Sequence, residues 1–271
     1  MRNIWTVAEY TVREALARKI FVAFFIVSSL GVALTALIVS FIDSAQLSAG
    51  MDVAAGAIGK GAIVAQIFFF LKTPLVAVAI LLSIFAVANF VPVMMERGTI
   101  ELFLSKPVTR AEALTGRFIG GLLVVLANVF YLVFFIWVII SGKLGVWHLP
   151  ALYLVLTILL AFASLNAIIV LIGVWTRSSV LGMMTAYFVF LALSPALSYR
   201  EYLYEIGGGD ALKIILDTLY YALPKTSELL GSTTDALIGG GAVDWQPTIT
   251  TLAFTAAAFG AALYSFWKKD F

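Results

Sequence analysis

An all-α polytopic membrane protein with six transmembrane helices is the fold class this sequence predicts, and three observations predict it. Six uncharged runs follow one another along 271 residues, each meeting the requirement of about 20 largely apolar residues for crossing a bilayer. With 62% hydrophobic and 12% charged residues and a mean hydropathy of +1.06, the chain has too little polar surface to cover its apolar surface as a soluble domain. Trp137, Trp147, Trp175, Trp245 and Trp267 all fall near run ends, where an aromatic belt belongs.

In chain order, residues 1–19 come first, with Arg2, Arg13, Arg18 and Lys19 against Ile4, Trp5, Ala8, Val12 and Ala15 at helical spacing. This pattern predicts an amphipathic interfacial helix on the membrane surface. A signal peptide is the competing reading, but the apolar run that follows exceeds the roughly 7 to 15 residues of a cleavable core. The six spans are Ile20–Ile42, Thr73–Met95, Phe118–Ser141, Pro150–Thr176, Ser178–Tyr199 and Trp245–Trp267. An even number puts both termini on one side.

Lysine and arginine set the orientation. With the termini inside, the inner face holds eleven of these residues and the outer face six, so the termini are expected to be cytoplasmic. Two outer segments exceed a simple turn. Residues 43–72 carry a small-residue tract and Phe68-Phe69-Phe70, read as half-buried along the outer leaflet. Between spans five and six, Asp210 caps an extracytoplasmic amphipathic helix whose face is Leu212, Ile215, Leu216, Leu219 and Tyr220. No repeat or linker divides the chain, which reads as one membrane domain over residues 1–271.

Several chemistries are excluded. No cysteine is present, so disulfides, thiolate metal sites and cysteine nucleophiles fall together. The one histidine, His148, reads as interfacial, and a net charge of +2 gives no footprint for nucleic acid. Gly56-Ala57-Ile58-Gly59-Lys60-Gly61 lacks the first glycine and the hydroxyl of a phosphate loop. Gly207-Gly208-Gly209-Asp210 has no partner aspartate in a span, and Ser83, Ser164 and Ser194 have no base in theirs. The middles of the spans carry no charge, which weighs against ion-coupled transport. Asn89, Asn128 and Asn166 remain, as hydrogen-bonded glue between helices or as the lining of a translocation path. Gly116-x-x-x-Gly120 and Ala256-x-x-x-Gly260 offer close-packing faces, within one subunit or between two.

The longest charged segment between two spans is Glu96–Arg117. Gly98 can end a helix and Thr99 can cap a short new one carrying Ile100, Leu102, Phe103 and Leu104. Pro107 stops it, Lys106 is steered to an extended conformation, and Thr109-Arg110-Ala111-Glu112 reads as a capping box that restarts a helix. A solvated connector needs no such stiffness.

This stretch resembles the cytoplasmic segment of ABC-2 type permeases, particularly the branch that includes the permease of the nitrous-oxide-reductase maturation transporter. The residues that carry it are Gly98, Thr99, Glu101, Leu102, Leu104, Ser105, Pro107, Val108, Thr109 and Arg110, then Gly116-Arg117. Thr109 stands where the family pattern has serine, and Arg117 where it has lysine. The resemblance implies a permease subunit, as an exporter component, with a cytoplasmic coupling helix between spans two and three. It implies docking of an ABC ATPase subunit, in two copies, through Arg97, Thr99, Glu101, Leu102, Phe103, Leu104, Ser105, Lys106, Pro107 and Arg110. It further implies a second permease copy, as homodimer or related heterodimer, in a prokaryotic cytoplasmic membrane. ATP and magnesium belong on the partner, so this chain is expected to be no enzyme and to hold no cofactor. The competing readings are a non-transporting membrane scaffold and, less favoured by the uncharged spans, a secondary transporter.

Overall fold

The computed structural model describes residues 2–17, 19–41, 60–95, 108–145, 147, 149–207, 210–238 and 245–269, and these contain helices and turns with no strand. Six helical segments are long and apolar enough to cross a membrane: Phe21–Ser40, Pro74–Met94, Arg110–Lys143, Leu149–Thr176, Ser179–Ser198 and Gln246–Trp267.

Helix α1 is Arg2–Ala17 and α2 is Lys19–Phe41. Helix α3, Lys60–Val87, runs through Pro74 without stopping. Residues 60–73 therefore form no separate helix along a leaflet, as the sequence suggested, but the first turns of the helix that becomes span two. The chain breaks at Ala88-Asn89 and resumes as α4, Phe90–Met94, with Pro92 inside it. Proline supplies no N–H, so the ladder cannot run unbroken through this point.

Helix α5, Arg110–Leu144, has 35 residues, about 52 Å at the helical rise. It ends on Gly145, whose φ of 68° is a left-handed C-cap. A 3-10 turn, Leu149–Leu152, leads into α6, Tyr153–Thr176. Arg177 takes φ 56° and reverses the chain, and Ser178 caps α7, Ser179–Phe188, by accepting from the Leu181 N–H at 3.4 Å. A π-turn at Val189–Leu193 joins α7 to α8, Ser194–Ser198, and the three pieces make up span five. The single helix expected between spans five and six is one of three: α9, Arg200–Gly207, α10, Asp210–Ala222, and α11, Thr226–Ile238. Helix α12, Gln246–Trp267, is the sixth span.

The centre of the bundle is α6. Its residues 161–170 are buried without exception, as expected of a helix apolar on every side. It packs with α5, α3, α7 and α12, and Phe162, Leu165, Ile158 and Ile169 lie in the main core with Ile80, Ile84 and Val125. A second cluster, Val91, Met94, Leu114, Val174, Ala262 and Phe266, closes the end that holds both chain termini. That end is called the terminal face below, and the opposite end the far face. Helix α2 lies at the margin, with 11% of its apolar window buried against 72% for α6.

Candidate functional site

The terminal face is built around the start of α5. Thr109, with φ −72° and ψ 155°, is its N-cap. Its hydroxyl accepts from the Glu112 N–H at 3.2 Å, and the Glu112 carboxylate accepts from the Thr109 N–H at 2.9 Å. This is the capping box read from the sequence, and it gives the helix a fixed first residue.

That first residue, Arg110, reaches across the bundle. Its guanidinium donates to the Lys269 carbonyl at 2.6 Å and toward that of Trp267 at 3.5 Å. Lys269 in turn donates its ammonium to the Val174 and Trp175 carbonyls at the end of α6. Burial, and then the charge of Arg177, hold the Lys269 ammonium below the ordinary lysine pKa. Trp175 completes the set by donating its indole N–H to the Ser265 hydroxyl at 2.9 Å. Two helix ends, those of α6 and α12, have carbonyls that no turn of their own can satisfy, and side-chain cations from elsewhere satisfy them. The result ties spans three, four and six together at one end.

Helix α1 is bound to the same place. An ideal Cβ on Gly116 would lie 2.5 Å from the Val7 Cβ, and one on Gly120 would lie 2.6 Å from the Thr11 Cβ. The two glycines therefore admit α1 against the backbone of α5, a contact within the chain. Asn3 meets Glu112, Val7 meets Gly116 and Thr11 meets Gly120, so both helices advance four residues at a time and run side by side. The amphipathic helix expected at the membrane surface thus has a protein partner, the turns of α5 in excess of the about 20 residues a bilayer needs. Arg117, its side chain 1% exposed, pairs with Glu14, and its guanidinium carbon lies 5.7 Å from the Tyr10 ring centre. Sequence reasoning missed this pair. The signal was there: Arg117 has Ala113 and Gly121 one turn away on its own helix, so its carboxylate had to come from another element. By contrast Gly260 of the Ala256-x-x-x-Gly260 face has nothing within 4 Å.

Of the docking residues named from the sequence, Arg97, Thr99, Glu101, Leu102, Phe103, Leu104, Ser105, Lys106 and Pro107 lie outside the described residues. Arg110 alone is described. The three asparagines separate. Asn128 is glue, accepting from Ser28 at 2.7 Å and joining α2 to α5. Asn89 is half-buried at the break in span two and lines a cavity of about 490 Å³ with Pro92, Val93, Met95, Arg177, Ser178 and Ser179. Asn166 is 1% exposed in the middle of α6, and neither its Oδ1 nor its Nδ2 meets a hydrogen-bond partner. Each such atom costs about 1–3 kcal/mol.

The far face carries a different network. Arg200 lies 3.6 Å from the Tyr220 ring centre, with Asp217 at 3.7 Å and Glu228 at 3.6 Å. Lys225, 4% exposed, approaches the same ring at 3.8 Å. Tyr220 donates to Glu228 at 2.8 Å. Burial, and then this bond and the charge of Glu228, push the Tyr220 phenol up to about 12. Ser194 accepts from the Thr226 hydroxyl and the Ser227 N–H, both at 2.9 Å, anchoring α11 to the end of the π-turn.

A capped helix start, stapled to an N-terminal helix and to two other spans, is mechanically suited to carry force into a six-span bundle. Compared with known families, residues 5–271 match the ABC-2 family transporter protein model. The chain belongs to the ABC-2 transporter family. No curated protein matches it. As a multi-pass ABC-2 membrane component it falls in a family whose members lack an ATPase domain of their own and work with an ATPase partner.

Proposed function

We propose that this ABC-2 chain is the permease subunit of an ATP-driven exporter. A separate ATPase docks on Thr99–Pro107, with Arg97, Glu101, Lys106 and Arg110 as the polar rim. Two permease copies and two ATPases make the assembly, in a prokaryotic cytoplasmic membrane with both termini inside. The lysine and arginine bias supports that orientation, and the motif through Gly98–Arg110 supports the branch of the nitrous-oxide-reductase maturation permease.

The observation that carries the reading is the construction of α5. The segment that would receive the ATPase feeds directly into a capped helix whose first residue grips the carbonyl of Lys269 at 2.6 Å. Displacement of that segment would pass through Val108 and Thr109 into α5, and from there to α1 and to spans four and six through the bonds described above. Arg110, the last residue of that rim, also ties α5 to the Lys269 carbonyl. Asn89 is well placed for a translocation path, since it borders a cavity.

The test is affinity purification of the tagged chain in mild detergent, with mass spectrometry and an ATPase assay, beside Glu101→Arg and Pro107→Ala variants. The expected result is a co-purifying ATPase that the variants lose or uncouple. A chain that yields no nucleotide-binding partner under several gentle conditions sinks the proposal and favours a scaffold.

A further inference from the structure

We propose that Asn166 is a positioning residue of the transport cycle, whose amide is idle in this conformation and bonds the broken backbone of span two in the alternate one. The proposal rests on the ATP-driven reading above. A polar side chain kept in a membrane core serves as glue, lines a path, or is used in another state. Asn166 is not glue here, because both polar atoms lack partners, and at 1% exposure among ten consecutive buried residues it is not open to a solvent-filled path. The glue role is filled by Asn128, which has its Ser28 bond.

Beside the idle amide the helix of span two is interrupted. Helix α3 stops at Val87 and α4 starts at Phe90. Because Pro92 has no N–H, the Ala88 carbonyl lacks the donor that a continuous helix would bring four residues later. Gly121 of α5 marks where these parts converge. An ideal Cβ there would lie 2.9 Å from Val87 Cγ1, 3.8 Å from Phe90 Cδ2 and 3.6 Å from Asn166 Nδ2. An amide without a partner and a carbonyl without its i+4 donor thus lie around Gly121, whose missing side chain lets spans two, three and four approach closely. Span two is also the span that leads out to residues 96–107, where the ATPase docks in the proposed assembly. A pull there bends span two at Ala88-Asn89, and the Asn166 N–H donating to the Ala88 carbonyl holds the bent state.

The experiment uses the full complex with its ATPase, wild type and Asn166→Leu. Leucine matches the volume and removes the amide. Hydrogen–deuterium exchange is followed across residues 84–93 in the nucleotide-free and vanadate-trapped states, beside the melting temperature and ATP turnover. In the wild type the two states differ in exchange at the break. In Asn166→Leu that difference disappears and ATP turnover falls at least about 5-fold, the lower end of ordinary coupling effects, while the melting temperature holds or rises. A lower melting temperature overturns the proposal, since it means the amide is bonded in the resting state. So does a leucine variant that keeps both the exchange difference and the turnover. The melting arm needs no ATPase, so an idle amide in a chain without an ATPase partner fails the functional reading, whereas a coupled leucine variant fails this inference alone.

Discussion

The two ends of this bundle are held by opposite means. At the terminal face, cations satisfy backbone carbonyls at or just beyond helix ends: Arg110 on Lys269, Lys269 on Val174 and Trp175. At the far face, side chains hold side chains: Arg200 and Lys225 on either approach to the Tyr220 ring, with Glu228 and Asp217 around them. Carbonyls at helix ends are fixed to the axis of the helix, so bonds to them lock spans to each other. The far network instead joins α10 and α11 to the end of span five. The terminal face thus ties spans to one another, whereas the far face ties helices outside the spans to the end of span five.

The largest blow to the terminal face should come from Glu14→Ala. It strips the carboxylate from an arginine side chain 1% exposed, and loss of one partner from a buried pair costs about 3 kcal/mol. Thermal unfolding in detergent should show it, and Glu14→Leu with Arg117→Leu should recover most of the loss. A double variant as unstable as the single one would show that the pair is not what binds α1.

Gly116→Ala should follow. Its Cβ has no room 2.5 Å from that of Val7, and overpacking of this kind costs about 2 kcal/mol. Limited proteolysis should find α1 released from α5 in this variant and intact in Gly260→Ala, where nothing lies within 4 Å.

Tyr220→Phe tests the far face. It removes one hydrogen bond to a carboxylate, about 1.5 kcal/mol, and should loosen α10 and α11 without disturbing the terminal face. The fold favours the protonated phenol, so its contribution is complete below the ordinary tyrosine pKa and is lost as pH rises through about 12. An absorbance titration should show a late phenol near pH 12 that vanishes in the variant. The smallest effect is expected of Trp175→Phe, which loses the bond to Ser265 and about 1 kcal/mol. If it costs more than Tyr220→Phe, the contrast between the two ends is drawn in the wrong direction.

Much of this architecture was legible before any coordinates. Long apolar runs have one stable state in lipid, and Thr109 with Glu112 announces a helix start through local chemistry alone. The site was less legible. Asn89, Asn128 and Asn166 look alike in sequence, yet one borders a cavity, one bonds Ser28 and one bonds nothing. Arg110 reads as part of a surface motif, while its guanidinium is spent on a carbonyl 159 residues away.

The sequence by itself determined the number of spans, the cap of α5 and the small-residue faces at Gly116 and Gly120. These depend on hydropathy and on backbone rules that act within a few residues. Only the tertiary structure decided that α1 fills the glycine face, that Glu14 answers Arg117, that α6 is the centre, and that Asn166 stands idle beside the broken span. Those facts depend on which helices become neighbours. In a chain whose spans are almost uniformly apolar, the pattern of hydropathy places each helix in the membrane but gives little guidance on which one lies beside it.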